Sequence, residues 1–257
     1  MPSSWEIGDR LDALLRTAEI PDYTGALNGL QLANRGDIRR VATAVDFSRE
    51  TVRETIRAGA QMLLVHHGMF WNGLQPLTGL AYERLADLFA NDIAVYSSHL
   101  PLDMHPEIGN NALLARQLGL EPSAGFAKYK TVDVGLSGVA DVDTTTLVAR
   151  ARAVAEASGG QVVATPFDNK RRTRKWAVCT GAGADTDTIR EAAERRIDTL
   201  IVGEGPHHTA VEARDLGIVV VYAGHYATET FGVRALGEWL CGEFGVESQF
   251  LDAPTGL

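Results

Sequence analysis

Cysteine is scarce: two residues in 257, Cys179 and Cys241, stand far apart and in no metal-ligand spacing. That argues against a disulfide framework and against a thiolate zinc site, and it predicts two buried thiols. Long hydrophobic runs are missing as well; nothing approaches the roughly 20 uninterrupted apolar residues that a membrane helix needs. The opening stretch, MPSSWEIGDRLDALL, is acidic and amphipathic rather than a basic segment followed by an apolar block, so a cytoplasmic location is expected. Basic residues are in deficit, 24 Lys and Arg against 33 Asp and Glu, for a formal charge of -9. Binding to polyanions rests on Lys and Arg displacing counterions, so neither nucleic acid nor a membrane surface is an expected partner. The one basic cluster, DNKRRTRK from Asp168 to Lys175, reads as a solvated loop between strands, with steering of an anionic small molecule as the alternative. Low-complexity segments and long linkers are also lacking.

What is present is a chain 45% hydrophobic and long enough to bury a substantial core. Short apolar runs alternate with helical patterns, the signature of an α/β fold with mostly parallel sheets and helices on the sheet faces. The pattern predicts strands over 41–45, 62–65, 93–97, 177–180, 199–202 and 218–222, and helices over 48–58, 80–90, 110–118, 144–157, 186–195 and 228–243, with a further helix after Pro206. TVRETIRAGAQMLLVHHG, from Thr51 to Gly68, aligns without gaps on TIREAAERRIDTLIVGEG, from Thr188 to Gly205, with six identities. Each copy then leads to an apolar strand ending in His-x-x-x-carboxylate, His99 with Asp103 and His225 with Glu229. An internal repeat follows, and with it two related α/β halves: residues 1–125 carry His66, His67, His99 and Asp103, and residues 126–257 carry His225 and Glu229. Residues 131–167 read as strand, helix and strand, either a small insertion or part of the second sheet.

In open α/β sheets ligands sit beyond the carboxyl ends of the strands, and the strongest chemical signals lie there. MLLVHHG ends a strand in two histidines. Neighbouring strand residues point to opposite faces, so both imidazoles serve one site only if the chain bends, as Gly68 allows, or if each takes a different metal. GHYATE places His225 and Glu229 four apart, on one face of a helix that begins near His225. SSHLPLD follows a strand with His99 and Asp103. Each motif alone has a plain structural reading: a packed histidine, a turn cap, or a carboxylate favoured at a helix N-terminus. Their convergence points to a mixed nitrogen and oxygen ligand set suited to zinc, manganese or iron rather than to calcium or magnesium. A carboxylate such as Glu229 can bridge two ions. Glu204, aligned with His67 in the repeat, fits an acceptor for a ligating histidine or a group that moves a proton. TGAGADT resembles a phosphate loop but reads better as a tight turn, since it lacks a third glycine and places Asp185 where a phosphate would be repelled. His207 and His208 read as exposed residues or substrate contacts. Phe70 and Trp71 read as a packed loop or an aromatic wall.

With LLVHHG, SSHLPLD, VGEG and AGHYATETFGVRALGEWL in view, and GLQLAN from Gly29 to Asn34, the chain resembles the GTP cyclohydrolase I type 2 homologue family, also called the Nif-three-like dinuclear-metal proteins, over nearly its whole length. The resemblance implies two divalent transition-metal ions held by His66, His67, Asp103, His225 and Glu229, with related α/β halves assembled as a toroidal homohexamer. It puts His99 beside the centre and matches Glu204 to the acid of a TGE-like motif. Where the family often has GHHATE, Tyr226 replaces the second histidine here, which removes any role for that imidazole and leaves the spacing of His225 and Glu229 intact. The implied activity is metal-dependent hydrolysis of a nucleotide such as GTP, with His99 and Glu204 as catalytic candidates. A non-catalytic metal-binding or scaffold protein forming a ring-shaped oligomer is the alternative.

Overall fold

A computed structural model describes all 257 residues. In chain order the elements are α1 (Ser4–Leu15), β1 (Gly29–Leu32), β2 (Arg40–Asp46), α2 (Arg49–Arg57), β3 (Met62–His67), α3 (Gly79–Ala90), β4 (Ala94–Ser97), α4 (Leu100–Asp103), α5 (Asn110–Gln117), β5 (Ala124–Tyr129), β6 (Val132–Asp143), α6 (Thr144–Ala157), β7 (Val163–Ala164), β8 (Arg172–Cys179), α7 (Thr186–Glu194), β9 (Thr199–Val202), α8 (His207–Asp215), β10 (Val219–Tyr222), α9 (His225–Phe244) and β11 (Glu247–Phe250).

The chain groups into two compact units, Met1–Leu102 with Gly232–Ala253, and Asp103–Phe231 with Pro254–Leu257. This differs from the sequence division at residue 125. Asp103 and α5 group with the second unit, and the C-terminal part of α9 with β11 groups with the first. The reason is β11, which pairs in parallel with β2 and draws the chain's end into the first sheet.

The first unit holds a five-stranded sheet in the order β1-β4-β3-β2-β11, parallel except for β1 on β4. One face packs Ala42, Ala44, Leu63, Val65 and Val95 against Val52 of α2 and Leu88 of α3. On the other, the hydroxyl of Tyr96 donates to Asp12 of α1 at 2.7 Å, and Gly237 of α9 passes close to Thr43 and Ser248. Helices on both faces bury the sheet, which is why β2 and β3 read as nearly continuous apolar runs.

The second unit holds a six-stranded sheet in the order β5-β6-β8-β9-β10-β7. Its centre, β8-β9-β10, is parallel. Its flanks are antiparallel, because β5 and β6 form a hairpin turning at Lys130 (φ 51°) and β7 returns against β10. The second sheet is therefore mixed rather than mostly parallel, and residues 131–167 belong to it rather than to an insertion. Trp176, Val178 and Ile201 face α5 and α6; Ala177, Cys179, Leu200 and Val202 face α7 and α8. Cys179 is buried as expected, whereas Cys241 is half-buried.

The repeat is structural. In the gapless alignment α2 falls on α7 and β3 on β9, and even the N-caps correspond: Ser48 accepts from Thr51 N, and Asp185 accepts from Thr188 N. Asp185 therefore caps a helix, which agrees with the tight-turn reading of TGAGADT. In the basic cluster, Arg172 is paired to Asp141 and Asp143, and Arg171 donates to carbonyls of Asp198 and Gly217.

Candidate metal site

In the first unit β3 is flanked by β2 and β4, so the ends of three parallel strands adjoin. His66 and His67 end β3, His99 follows β4, and their three ring centroids lie 4.7 to 5.7 Å apart. One ring nitrogen of each lies within 4.8 Å of the others. The chain leaves β3 through Gly68, where a Cβ would collide with the amide of Gln31, whose Oε1 accepts from Met69 N at 2.7 Å. Any side chain at that turn would displace the Gln31 amide from its bond to Met69 N.

Each imidazole is fixed through Nδ1. His66 is fully buried and its Nδ1 lies 2.9 Å from the carbonyl oxygen of Ser98; that of His67 lies 2.8 Å from Oδ1 of Asp46, its register partner at the end of β2; that of His99 lies 2.8 Å from Oδ1 of Asp22. Carbonyl and carboxylate oxygens only accept, so Nδ1 carries the proton and the lone pair of the neutral ring is on Nε2, the tautomer of a metal-ligating histidine. Asp22 also accepts from Asn28 Nδ2 and Leu100 N. Burial pushes its carboxyl up, but the bonds from His99, Asn28 and Tyr23 N outweigh this and hold it below the usual aspartate range. Trp71 and Tyr23 stand 4.7 and 5.9 Å from the His99 ring, so the aromatic neighbours of the histidines are Trp71 and Tyr23 rather than Phe70.

In the second unit β8 ends at Cys179 and α9 begins at His225. Asp103 and Glu229 are nearly buried, with a carboxylate oxygen of each within 4.8 Å of the other. Oδ1 of Asp103 accepts from Asn110 Nδ2 at 2.8 Å and from Thr180 Oγ1 at 3.2 Å. Nδ1 of His225 lies 2.8 Å from Oε1 of Glu204, and Nε2 lies 3.1 Å from Oε2 of Glu229. Burial pulls the His225 imidazolium down, yet the two carboxylates outweigh it and hold its pKa up at about 9. Burial, followed by the charges of Asp103, Asp185, Glu229 and Glu191, keeps the Cys179 thiol neutral, in agreement with a site that uses no thiolate. Gly181 N donates to Thr228 Oγ1 at 3.1 Å, holding the turn after β8 against the start of α9.

His207 and His208 are exposed at the start of α8, and Tyr226 is buried with its N–H on the carbonyl of Leu257. The oxygens that orient His67 and His99 escaped sequence reasoning. Asp46 ends β2 and would have been found by extending the strand-end argument to that strand. Asp22 lies in a loop whose local pattern carries no signal.

The donors suit divalent transition-metal ions of borderline character, with imidazole nitrogens in one unit and two carboxylates with an imidazole in the other. The profile of the family described as Duf34/NIF3 (NGG1p interacting factor 3) matches residues 6–255. The chain belongs to the DUF34/NIF3 family. Among DUF34/NIF3 relatives, a protein of Halobacterium salinarum named GTP cyclohydrolase 1 type 2 homolog is 40% identical over 98% of both chains. One of the same name from Deinococcus radiodurans is 37% identical over 96% of this chain and 92% of its own. The fold is also that of a solved structural-genomics protein, ybgI, described as of unknown function (34% identity, TM-score 0.89, all of both chains). A second solved relative, TTHA1606 from Thermus thermophilus, is 32% identical with a TM-score of 0.82 over all of both chains. No helix of this DUF34/NIF3 protein is long and apolar enough to cross a membrane.

Proposed function

We propose that this chain is a hydrolase that holds two divalent transition-metal ions, zinc, manganese or iron, through His66, His67, Asp103, His225 and Glu229, and acts on a nucleotide such as GTP. The observation that carries this reading is that each of the three imidazoles named as ligands has its Nδ1 on a fixed oxygen. That arrangement orients Nε2 and raises its basicity toward a cation. Two carboxylates packed side by side repel one another, and a divalent ion would relieve the repulsion. Gly181 supports the same reading, since any Cβ there would run into Oε1 of Glu229. The name the relatives share, GTP cyclohydrolase 1 type 2 homolog, supports the nucleotide substrate.

Ions bound by such a set would acidify water and polarise an electrophilic carbon or phosphorus. The rest falls to side chains. His99, backed by Asp22, is the group that moves a proton; Glu204 positions His225; Trp71 and Tyr23 offer ring faces to a planar base.

The test measures metal content and turnover on the same samples of wild type, His99→Ala and Glu229→Gln, over a panel of nucleotides, phosphoesters and cyclic amides. The expected result is close to two ions per chain in wild type, metals kept but turnover lost in His99→Ala, and metals lost in Glu229→Gln. Fully loaded wild type that turns over nothing would overturn the hydrolase reading in favour of a metal-binding scaffold, and loss of metal from His99→Ala would move His99 into the ligand set.

A further inference from the structure

The strands that carry His67 and Asp46 continue into a cavity that the metal chemistry does not use. Phe47 follows Asp46 and donates its N–H to the carbonyl of His67 at 2.9 Å; Met69 lies two residues beyond His67. With Phe70, Leu74, Leu77 and Leu85 they line a cavity of about 230 Å³. Leu74 is fully exposed and Leu77 largely so, an arrangement that keeps apolar surface in water until something covers it.

Among the lining residues Arg84, on α3, alone carries charge. Its guanidinium lies over the Phe47 ring, 5.1 Å from the centroid, and Nη1 reaches the Phe47 carbonyl at a long 3.4 Å. Its Nε is buried and has no hydrogen-bond partner. The adjacent acid, Glu83, is taken by Arg49 at 2.9 Å. A guanidinium keeps its charge and has five N–H donors in a fork matched to two oxygens of an anion. Donors buried without acceptors cost free energy that an anion would recover.

We propose that this cavity binds a small amphipathic anion, with its apolar body against Phe70, Leu74 and Leu77 and one carboxylate, sulfonate or phosphate group on Arg84. The charge decides the occupant: a purely apolar side chain from a second copy would leave the guanidinium donors unanswered. The volume, below the roughly 300–1,000 Å³ usual for ligand pockets, selects a compact molecule. This is a claim about binding, and it stands whether or not the metal centre is catalytic.

Two fluorescent probes of similar shape test it on the purified full chain: 8-anilinonaphthalene-1-sulfonate, which is anionic, and N-phenyl-1-naphthylamine, which is neutral. Wild type should bind the sulfonate about tenfold more tightly than the neutral probe, the size of a charge-assisted hydrogen bond. Arg84→Leu should erase that preference by weakening the sulfonate alone. Ala81→Phe, which fills the cavity, should weaken both. Melting temperature and metal content report whether each variant is folded; if Ala81→Phe is not, Leu77→Trp fills the mouth from an exposed position. Equal binding of both probes to wild type, no effect of Arg84→Leu, or unchanged binding after the cavity is filled would each overturn the proposal.

Discussion

Gly181 has φ +62°, and a Cβ there would run into Oε1 of Glu229 and lie 3.3 Å from Nε2 of His225. Alanine at this position therefore meets two obstacles, a left-handed backbone costing about 1–2 kcal/mol and the displacement of a nearly buried carboxylate. Gly217 offers the control, since its φ is +74° but nothing lies within 4 Å of its Cβ position. Gly181→Ala is expected to lose bound metal, and Gly217→Ala to keep it while paying only the backbone strain; elemental analysis of the two, normalised to folded protein, decides. Equal metal content would show that Glu229 moves aside without consequence. A second expectation concerns protons. With a pKa held up at about 9, His225 in the metal-free protein is an imidazolium at neutral pH, and a metal on Nε2 must displace that proton. Affinity should rise with pH and level off near pH 9. Calorimetric titration with zinc at pH 7.5, in buffers of different ionisation enthalpy, should report proton release, reduced in Glu204→Gln because one of the carboxylates that holds the proton is gone. Heats that do not depend on the buffer would contradict this. The sequence made His225, Glu229 and the pair at the end of β3 visible because they stand beside apolar runs. Asp22 and Asn28 were hidden, since a loop residue placed by the rest of the fold leaves no periodic trace.

At the level of elements, the same logic separates what could be read from what could not. Helices α2, α6 and α7 and strands β2, β3, β9 and β10 carry strong periodicity or unbroken apolar runs, and their positions follow the expectation within a few residues. Strands β1, β5 and β11 were not expected. Their burial patterns are broken and partly exposed, as befits edge strands; β1 and β11 are paired with distant partners, Ser97 for Gly29 and Arg40 for Glu247, and β5 through the hairpin to β6. The mixed character of the second sheet was missed for a related reason: β6 is long and half-exposed, so its direction is fixed by the hairpin at Lys130 and not by its own composition. The repeat makes a prediction here. Ser48 and Asp185 occupy equivalent caps, so Ser48→Ala and Asp185→Ala should each destabilise by about 1 kcal/mol. Urea denaturation should show comparable shifts in midpoint. A negligible shift for one alone would mean that its helix is held by tertiary packing and that the matched caps are coincidental.

For the whole molecule, metal binding should appear as stability. The resemblance implies a ring of six chains, which light scattering would register as six times the 27.7 kDa chain mass. A smaller species would remove the ring from the account without touching the ligands. The stability argument is independent of that count. An ion that binds the folded chain and not the unfolded one stabilises by about 2.7 kcal/mol when its free concentration is a hundred times its dissociation constant. For a chain of this length each kilocalorie moves the melting temperature by roughly 2–4 °C. Stripping both ions with a chelator should therefore lower the melting temperature by about 10–20 °C, about half of that for each ion, and returning zinc or manganese should restore it in steps that follow the logarithm of free metal. Calcium at the same concentration should restore little, because it prefers all-oxygen cages and the donors here include imidazoles. His67→Ala should flatten the response, and Asp46→Asn should weaken metal affinity by about 10–100-fold without abolishing it, as expected for an oxygen that only orients the ring. A melting temperature indifferent to chelation, in protein that elemental analysis shows to have lost its ions, would mean that those ions were not held by the folded ligand cluster, and would leave the histidines as packing residues.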